Sequence, residues 1–134
     1  MGAAEIRTVK GGCACQAIRY QLNGQMGFSF HCQCRDCQYL SGTGHISVFI
    51  CKDAELDLNG EMTWYARTAP SGNIVRSGFC PICGTPVINQ NSGFAGNLFV
   101  AAATLDDPSE FTPTKVVHRD GGLDWDLSDP EVTG

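Results

Sequence analysis

The chain lacks any apolar run approaching the roughly 20 residues that a membrane-spanning helix needs. It is also short of positive charge. Nine Lys and Arg stand against fourteen Asp and Glu, for a formal net charge of -5. The basic residues form no run or stripe, so phosphate backbones are repelled and nucleic acid is not an expected partner. The first dozen residues, Met1 to Gly12, contain Glu5, Arg7 and Lys10 and no apolar h-region, so no secretory leader is expected. Met1-Gly2 opens like a myristoylation signal, but Ile6 stands where Ser or Thr is required. No membrane association and a cytoplasmic location follow as expectations. In that compartment thiols stay reduced, and clustered cysteines more often bind metal than form disulfides. Internal repeats, low-complexity tracts and linkers are absent, and helical signals are weak.

What is present suits one domain of 134 residues, with a core over about 9–125 and an acidic tail from Gly121, expected to be loose apart from Trp125. Hydrophobic residues make up 43% and charged residues 17%, a globular balance. Sixteen glycines suggest many tight turns. Between them lie alternating or β-branched runs: Ile18–Leu22, Met26–Phe30, Ile46–Ile50, Met62–Tyr65, Ile74–Phe79, Pro86–Asn89, Asn97–Ala102 and Lys115–His118. Arg35–Leu40 and Asp106–Phe111 could each form a helical turn, the second with Pro108 near its start. The expected fold is mainly β, built of several short coiled antiparallel sheets stapled by zinc.

Seven of the eight cysteines fall into three groups: Cys13-Ala14-Cys15, then Cys32, Cys34 and Cys37, then Cys80-Pro81-Ile82-Cys83-Gly84. In the last, proline fixes one backbone angle and glycine allows a positive φ, so both thiols can face one centre. A structural zinc wants four ligands. Cys13 and Cys15, spaced i, i+2 and so on one side of a strand, would complete a set with Cys80 and Cys83. Two disulfides or loose buried thiols are the bland alternative. Cys32, Cys34 and Cys37 then remain as three ligands with an open position, the pattern of catalytic zinc. That trio could instead be empty or be closed by Cys51, although Cys51 reads best as a buried inert thiol. A partition that joins Cys80 and Cys83 to the trio would orphan Cys13 and Cys15. His31 is expected to point away from the trio, and His118 to be structural. His45, after a Ser41-Gly42-Thr43-Gly44 turn, could reach the open position as ligand or general acid/base, though a plain loop histidine is the simpler reading.

The ordered set GGCACxxIRY, HCxCxxC with a following SG, FCPxCGTP and Leu105-Asp106-Asp107-Pro108 resembles the glutathione-dependent formaldehyde-activating enzyme family, also called the centromere-protein-V/formaldehyde-activating domain family. The likeness runs from about Val9 to Trp125. It implies coiled β-sheets with two zincs per chain. Cys13, Cys15, Cys80 and Cys83 would hold the structural zinc, and Cys32, Cys34 and Cys37 the catalytic one. It further implies a carbon–sulfur lyase that joins glutathione to formaldehyde, giving S-hydroxymethylglutathione. Three thiolates already make a negative centre, so the second zinc is expected to be labile. Arg35, Arg67, Arg76 and Arg119 are candidates for the glutathione carboxylates, and His45 or Asp36 for proton transfer. Val117-His118-Arg119-Asp120 stands where many relatives carry His-x-Trp, and Trp125-Asp126 stands for Pro-Trp, so the substrate could differ. Another small thiol or aldehyde, a non-catalytic glutathione carrier, or a zinc-stabilised interaction module are the rival readings.

Overall fold

The computed structural model describes residues 6–126. In chain order these form β1 (Ile6–Gly12), β2 (Arg19–Cys32), α1 (Arg35–Ser41), β3 (Ile46–Asn59), β4 (Thr63–Thr68), β5 (Ile74–Phe79), β6 (Pro86–Asn91), β7 (Leu98–Ala101) and β8 (Lys115–Val117). Short 3₁₀ turns at Ser92–Phe94, Ala102–Thr104, Pro108–Glu110 and Arg119–Gly121 fill the connections. The strands join in the order β1-β2-β3-β7-β6-β5-β4, with neighbours antiparallel. Strand β8 pairs parallel with β2 at Phe30–Cys32, continuing the edge that β1 covers over Arg19–Gln25.

The mainly β, antiparallel expectation holds. The short sheets read from the sequence are stretches of one hydrogen-bonded path. Ile18–Leu22 and Met26–Phe30 looked separate because β2 is bent: its register against β3 shifts between Asn23 and Gln25 and again between Met26 and Ser29. Such bulges reset the two-residue alternation that marks a strand. Gly24 allows the bend, since a Cβ there would fall 2.6 Å from the Cys51 sulfur and 2.7 Å from the Lys52 carbonyl oxygen. Strand β1 was not anticipated; only Val9 and Gly11 of its residues are buried, which leaves little apolar signal.

Alternation on β3 divides the interior. Phe49 and Cys51 face the larger cluster, with Val9, Tyr20, Leu22, Ile88 and Val100. Ile46 and Val48 face a smaller one with Cys32, joined by Phe30, Phe99 and Val117. The smaller cluster carries the cysteine trio at its edge.

The C-terminal segment corrects one expectation. Over 121–126 the chain is tied down. The buried Gln38 side chain donates from Nε2 to the carbonyls of Gln33, at 3.0 Å, and Gly121, at 2.8 Å. Asp126, not Trp125, makes the side-chain anchor, and Trp125 is 68% exposed. The remainder of the expected acidic tail, like Met1-Gly2, lies outside the described residues. Among the described residues, no helix is long and apolar enough to cross a membrane.

Candidate metal centres

The first centre joins two turns. Cys13-Ala14-Cys15 sits on the turn between β1 and β2, not on a strand as its i, i+2 spacing suggested. Gln16 at φ 68° closes that turn, and its amide donates to the Cys13 carbonyl at 3.1 Å. The second turn follows β5. The Gly84 amide donates to the Cys80 carbonyl at 2.8 Å with Gly84 at φ 79°, a left-handed position that glycine takes without strain. Amides then converge on sulfur: Ile18 on Cys13 at 3.2 Å, and Ile82 and Cys83 on Cys80 at 3.4 and 3.5 Å. Thr85 links the turns, its hydroxyl accepting from the Ala14 amide at 3.2 Å and lying 3.2 Å from the Cys83 sulfur.

These contacts place the sulfurs of Cys13, Cys15, Cys80 and Cys83 all within 4.8 Å of one another. Cys13 to Cys15 is 3.6 Å and Cys15 to Cys80 is 3.7 Å. Sulfurs of a regular tetrahedron about zinc, each roughly 2.3 Å from it, would stand about 3.8 Å apart, whereas a disulfide needs about 2.05 Å. All eight cysteines are free thiols. The donor set therefore fits a tetrahedral thiophilic ion. The Thr85 hydroxyl and backbone amides pull Cys83 down to about 5. The Ala17 amide favours a Cys15 thiolate, yet desolvation and the neighbouring sulfurs together push Cys15 up to about 12. Thiols that compete for protons in this way become four thiolates when a divalent cation neutralises them.

The second centre is a strand–helix junction. Cys32 ends β2, Cys34 caps α1, and Cys37 lies in the first helical turn. The Cys34 sulfur accepts the Cys37 amide at 3.4 Å, doing the work of an N-cap side chain. The three sulfurs lie within 4.8 Å of one another. Hydrogen bonds from the Cys32 and Cys37 thiols, then the Cys37 amide, pull Cys34 down to about 2 against the cost of desolvation. The Cys34 sulfur, with desolvation, pushes Cys32 up to about 11 against the Cys37 contact, and Cys32 and Cys34 together push Cys37 higher still. Cys51 is fully buried in the other core cluster and is not among these donors.

Two cavities meet at this junction, and they share Cys37, Arg67 and Asn89. One, of about 570 Å³, is mixed in character, with Asp36, Tyr39, Tyr65 and Ser77 among its polar groups. The other, of about 320 Å³, reaches Cys32 as well and has Phe30, Val48, Phe94 and Phe99 among its apolar groups beside Asn89, Gln90, Asn91 and His118. Arg67 stands between them with its guanidinium 2.9 Å from the Asp36 carboxylate. The other candidate arginines are engaged or elsewhere. Arg35 stacks on Tyr39, and Arg76 stacks on Trp64. Arg119 opens the 3₁₀ turn after β8.

The three histidines occupy different places. His45 is not in the group of donor atoms with the trio. Its Nδ1 lies 3.0 Å from both carboxylate oxygens of Asp126, and it lines a separate groove together with Cys13 and Thr85. His31 points away from the trio, as read from the sequence. Its Nδ1 lies 2.8 Å from the Ser47 hydroxyl, and its ring meets that of His45 edge-on at 4.8 Å. His118 instead lines the apolar cavity beside Cys32 and Cys37. It sits at φ 57°, an uncommon conformation for a residue other than glycine. Asn89 was missed because it belongs to no motif, and His118, read as structural, lines this cavity. The polar run Asn89-Gln90-Asn91 inside an otherwise β-like segment was the available signal for the first.

Residues 8–120 match the family model described as glutathione-dependent formaldehyde-activating enzyme. No curated protein matches the chain. Among solved structures, a Rhodobacter sphaeroides protein known from its crystal structure is similar with a TM-score of 0.60. The two are 18% identical, and the likeness covers 81% of this chain and 99% of that one. At that identity it speaks to the fold.

Proposed function

Since the chain belongs to the glutathione-dependent formaldehyde-activating enzyme family, we propose that it is a zinc-dependent carbon–sulfur lyase that reversibly joins a thiol to an aldehyde, with glutathione and formaldehyde as the reference pair. In this reading Cys13, Cys15, Cys80 and Cys83 hold a structural zinc. Cys32, Cys34 and Cys37 hold a second, exchangeable one. The observation that carries the proposal is a cluster of three cysteine sulfurs whose Cys37 lines two adjoining cavities and whose Cys32 lines one of them, while the other four sulfurs leave no ligand position open. Zinc bound by the trio would supply Lewis acidity, holding a thiol as thiolate near neutral pH.

The chain's own residues do the rest. The mixed cavity accepts the peptide of glutathione, with Arg67 offering a cation to a carboxylate. Asn89 borders both cavities, so its side-chain amide can donate to the oxygen on which charge develops as the carbon–sulfur bond forms. The pair His45–Asp126 acts at a distance from the chemistry. It holds the segment after β8 against Gln33, whose Nε2 lies 3.5 Å from Asp126, and so fixes the backbone that carries Cys32 and Cys34. The cytoplasm, rich in reduced thiols, is the compartment this activity suits.

The test is the rate at which glutathione and formaldehyde form S-hydroxymethylglutathione, followed by NMR, with zinc content measured on the same samples. The proposal expects acceleration over the spontaneous reaction, loss of it in Cys34→Ser, and a fall from two zincs to one in that variant. A rate equal to the spontaneous one at full zinc occupancy would sink it.

A further inference from the structure

The apolar cavity is unexplained by formaldehyde. Formaldehyde has two heavy atoms and no substituent. The cavity holds about 320 Å³, at the lower end of the roughly 300–1,000 Å³ typical of small-molecule sites and about ten times the volume share of one water. Its wall is made by Phe30, Val48, Val75, Phe94, Phe99 and Val117. These residues come from five different strands and one 3₁₀ turn, so the wall is a product of the tertiary fold. Phe94 and Phe99 meet edge-on at 6.0 Å, leaving ring faces and edges for a further aromatic group. Phe94 is 52% exposed at the rim, a cost in water that a bound apolar group would relieve. Its polar groups are Arg67, paired with Asp36, the amides Asn89, Gln90 and Asn91, and His118. The other cavity across Cys37, at about 570 Å³, has more room for a tripeptide.

We propose that the aldehyde taken by this protein carries a compact apolar substituent, aryl or branched alkyl, which fills the cavity walled by Phe30, Val48, Phe94, Phe99 and Val117 while its carbonyl carbon lies beside Cys37. The inference rests on the proposed thiol–aldehyde chemistry at the trio. The reaction balances without any redox partner. The thiol sulfur forms a bond to the carbonyl carbon, the carbonyl π pair moves to oxygen, and the thiol proton ends on that oxygen, giving a hemithioacetal. Asn89, shared by both cavities, is the group placed to donate to the oxygen.

The experiment measures, on zinc-loaded protein with glutathione as the thiol, the acceleration over the spontaneous reaction for formaldehyde, 3-methylbutanal and benzaldehyde. In parallel, benzaldehyde is titrated without thiol into protein carrying labelled valine methyls. The expected result is an acceleration at least tenfold greater for 3-methylbutanal or benzaldehyde than for formaldehyde, with shifts at the Val48, Val75 and Val117 methyls. Phe94→Ser, at an exposed rim position, is expected to lower the benzaldehyde-to-formaldehyde ratio of kcat/KM by about tenfold, a loss of about 1.4 kcal/mol of discrimination. Acceleration of formaldehyde alone, with unshifted methyls, would overturn the inference and leave the thiol–aldehyde function standing. No acceleration of any aldehyde would overturn both.

Discussion

Replacing Cys80 by serine tests whether the two cysteine clusters have the different jobs assigned to them. Cys80 is fully buried, and its sulfur lies 3.7 Å from that of Cys15, 65 residues away in sequence. A cross-link closing a loop of that size is worth about 4 kcal/mol by the chain-entropy relation. A domain of this kind is stable by only about 5–15 kcal/mol in total. With a urea m-value of about 2 kcal/mol/M, Cys80→Ser lowers the unfolding midpoint by about 2 M. Cys34→Ser is the control. Its cluster spans only Cys32–Cys37 within one strand–helix junction, and a serine oxygen can still cap α1 by accepting the Cys37 amide. Its midpoint moves by about 0.5 M or less. The assay is urea unfolding followed by far-ultraviolet circular dichroism, with zinc and with a strong chelator, and zinc analysis of each sample. Chelation brings wild type to the stability of Cys80→Ser. Equal destabilisation by the two variants, or a wild type indifferent to the chelator, would refute the assignment of structural and catalytic roles.

Tyr20 gives a second prediction, on pH. Burial pushes its phenol up to about 12, against the help of the Thr104 hydroxyl 2.8 Å away. The folded state therefore keeps the proton that the unfolded chain loses near pH 10, and the stability this confers is lost as pH rises from 10 through 12, by about 2–3 kcal/mol. Tyr20→Phe should cost about 1 kcal/mol at neutral pH and flatten that alkaline fall relative to wild type in pH-resolved urea melts. Gly44→Ala should loosen the C-terminal tie, because a Cβ there would overlap the Asp126 carboxyl. Faster amide exchange over 119–126 with the four-cysteine centre unchanged is the expected reading; unchanged exchange would show that Asp126 does not hold the segment. Arg67→Met should raise the glutathione concentration for half-maximal rate by about tenfold, the loss of one charge-assisted contact of about 1.5 kcal/mol, with zinc content unaltered. An unchanged KM would remove Arg67 from thiol binding.

The three cysteine groups were legible in the sequence by itself, because a set of side chains able to hold a metal imposes short-range spacing. The Cys80-Pro81-Ile82-Cys83-Gly84 turn needs its proline and its left-handed glycine within five residues, and Cys34 and Cys37 must share one helical turn. The β class was legible for the same reason: alternation in Ile74–Phe79 or Ile46–Ile50 is a local property. What depends on distant contacts was not legible. The CxC turn could be mistaken for a strand, because the hairpin that places it is closed by the pairing of Gly12 with Arg19, and β1 itself carries few apolar residues. Two readings of His45 stayed open in the sequence, and its partner, Asp126, lies 81 residues on, beyond the reach of any local pattern. The pairing of Cys13 and Cys15 with Cys80 and Cys83 was proposed by counting ligands, but only the sheet order, which folds the β5–β6 turn back to the β1–β2 turn, brings the sulfurs together. The apolar cavity beside Cys37 belongs wholly to tertiary structure, since its walls converge from residues as far apart as Phe30 and Val117 and no local pattern records that they share one space.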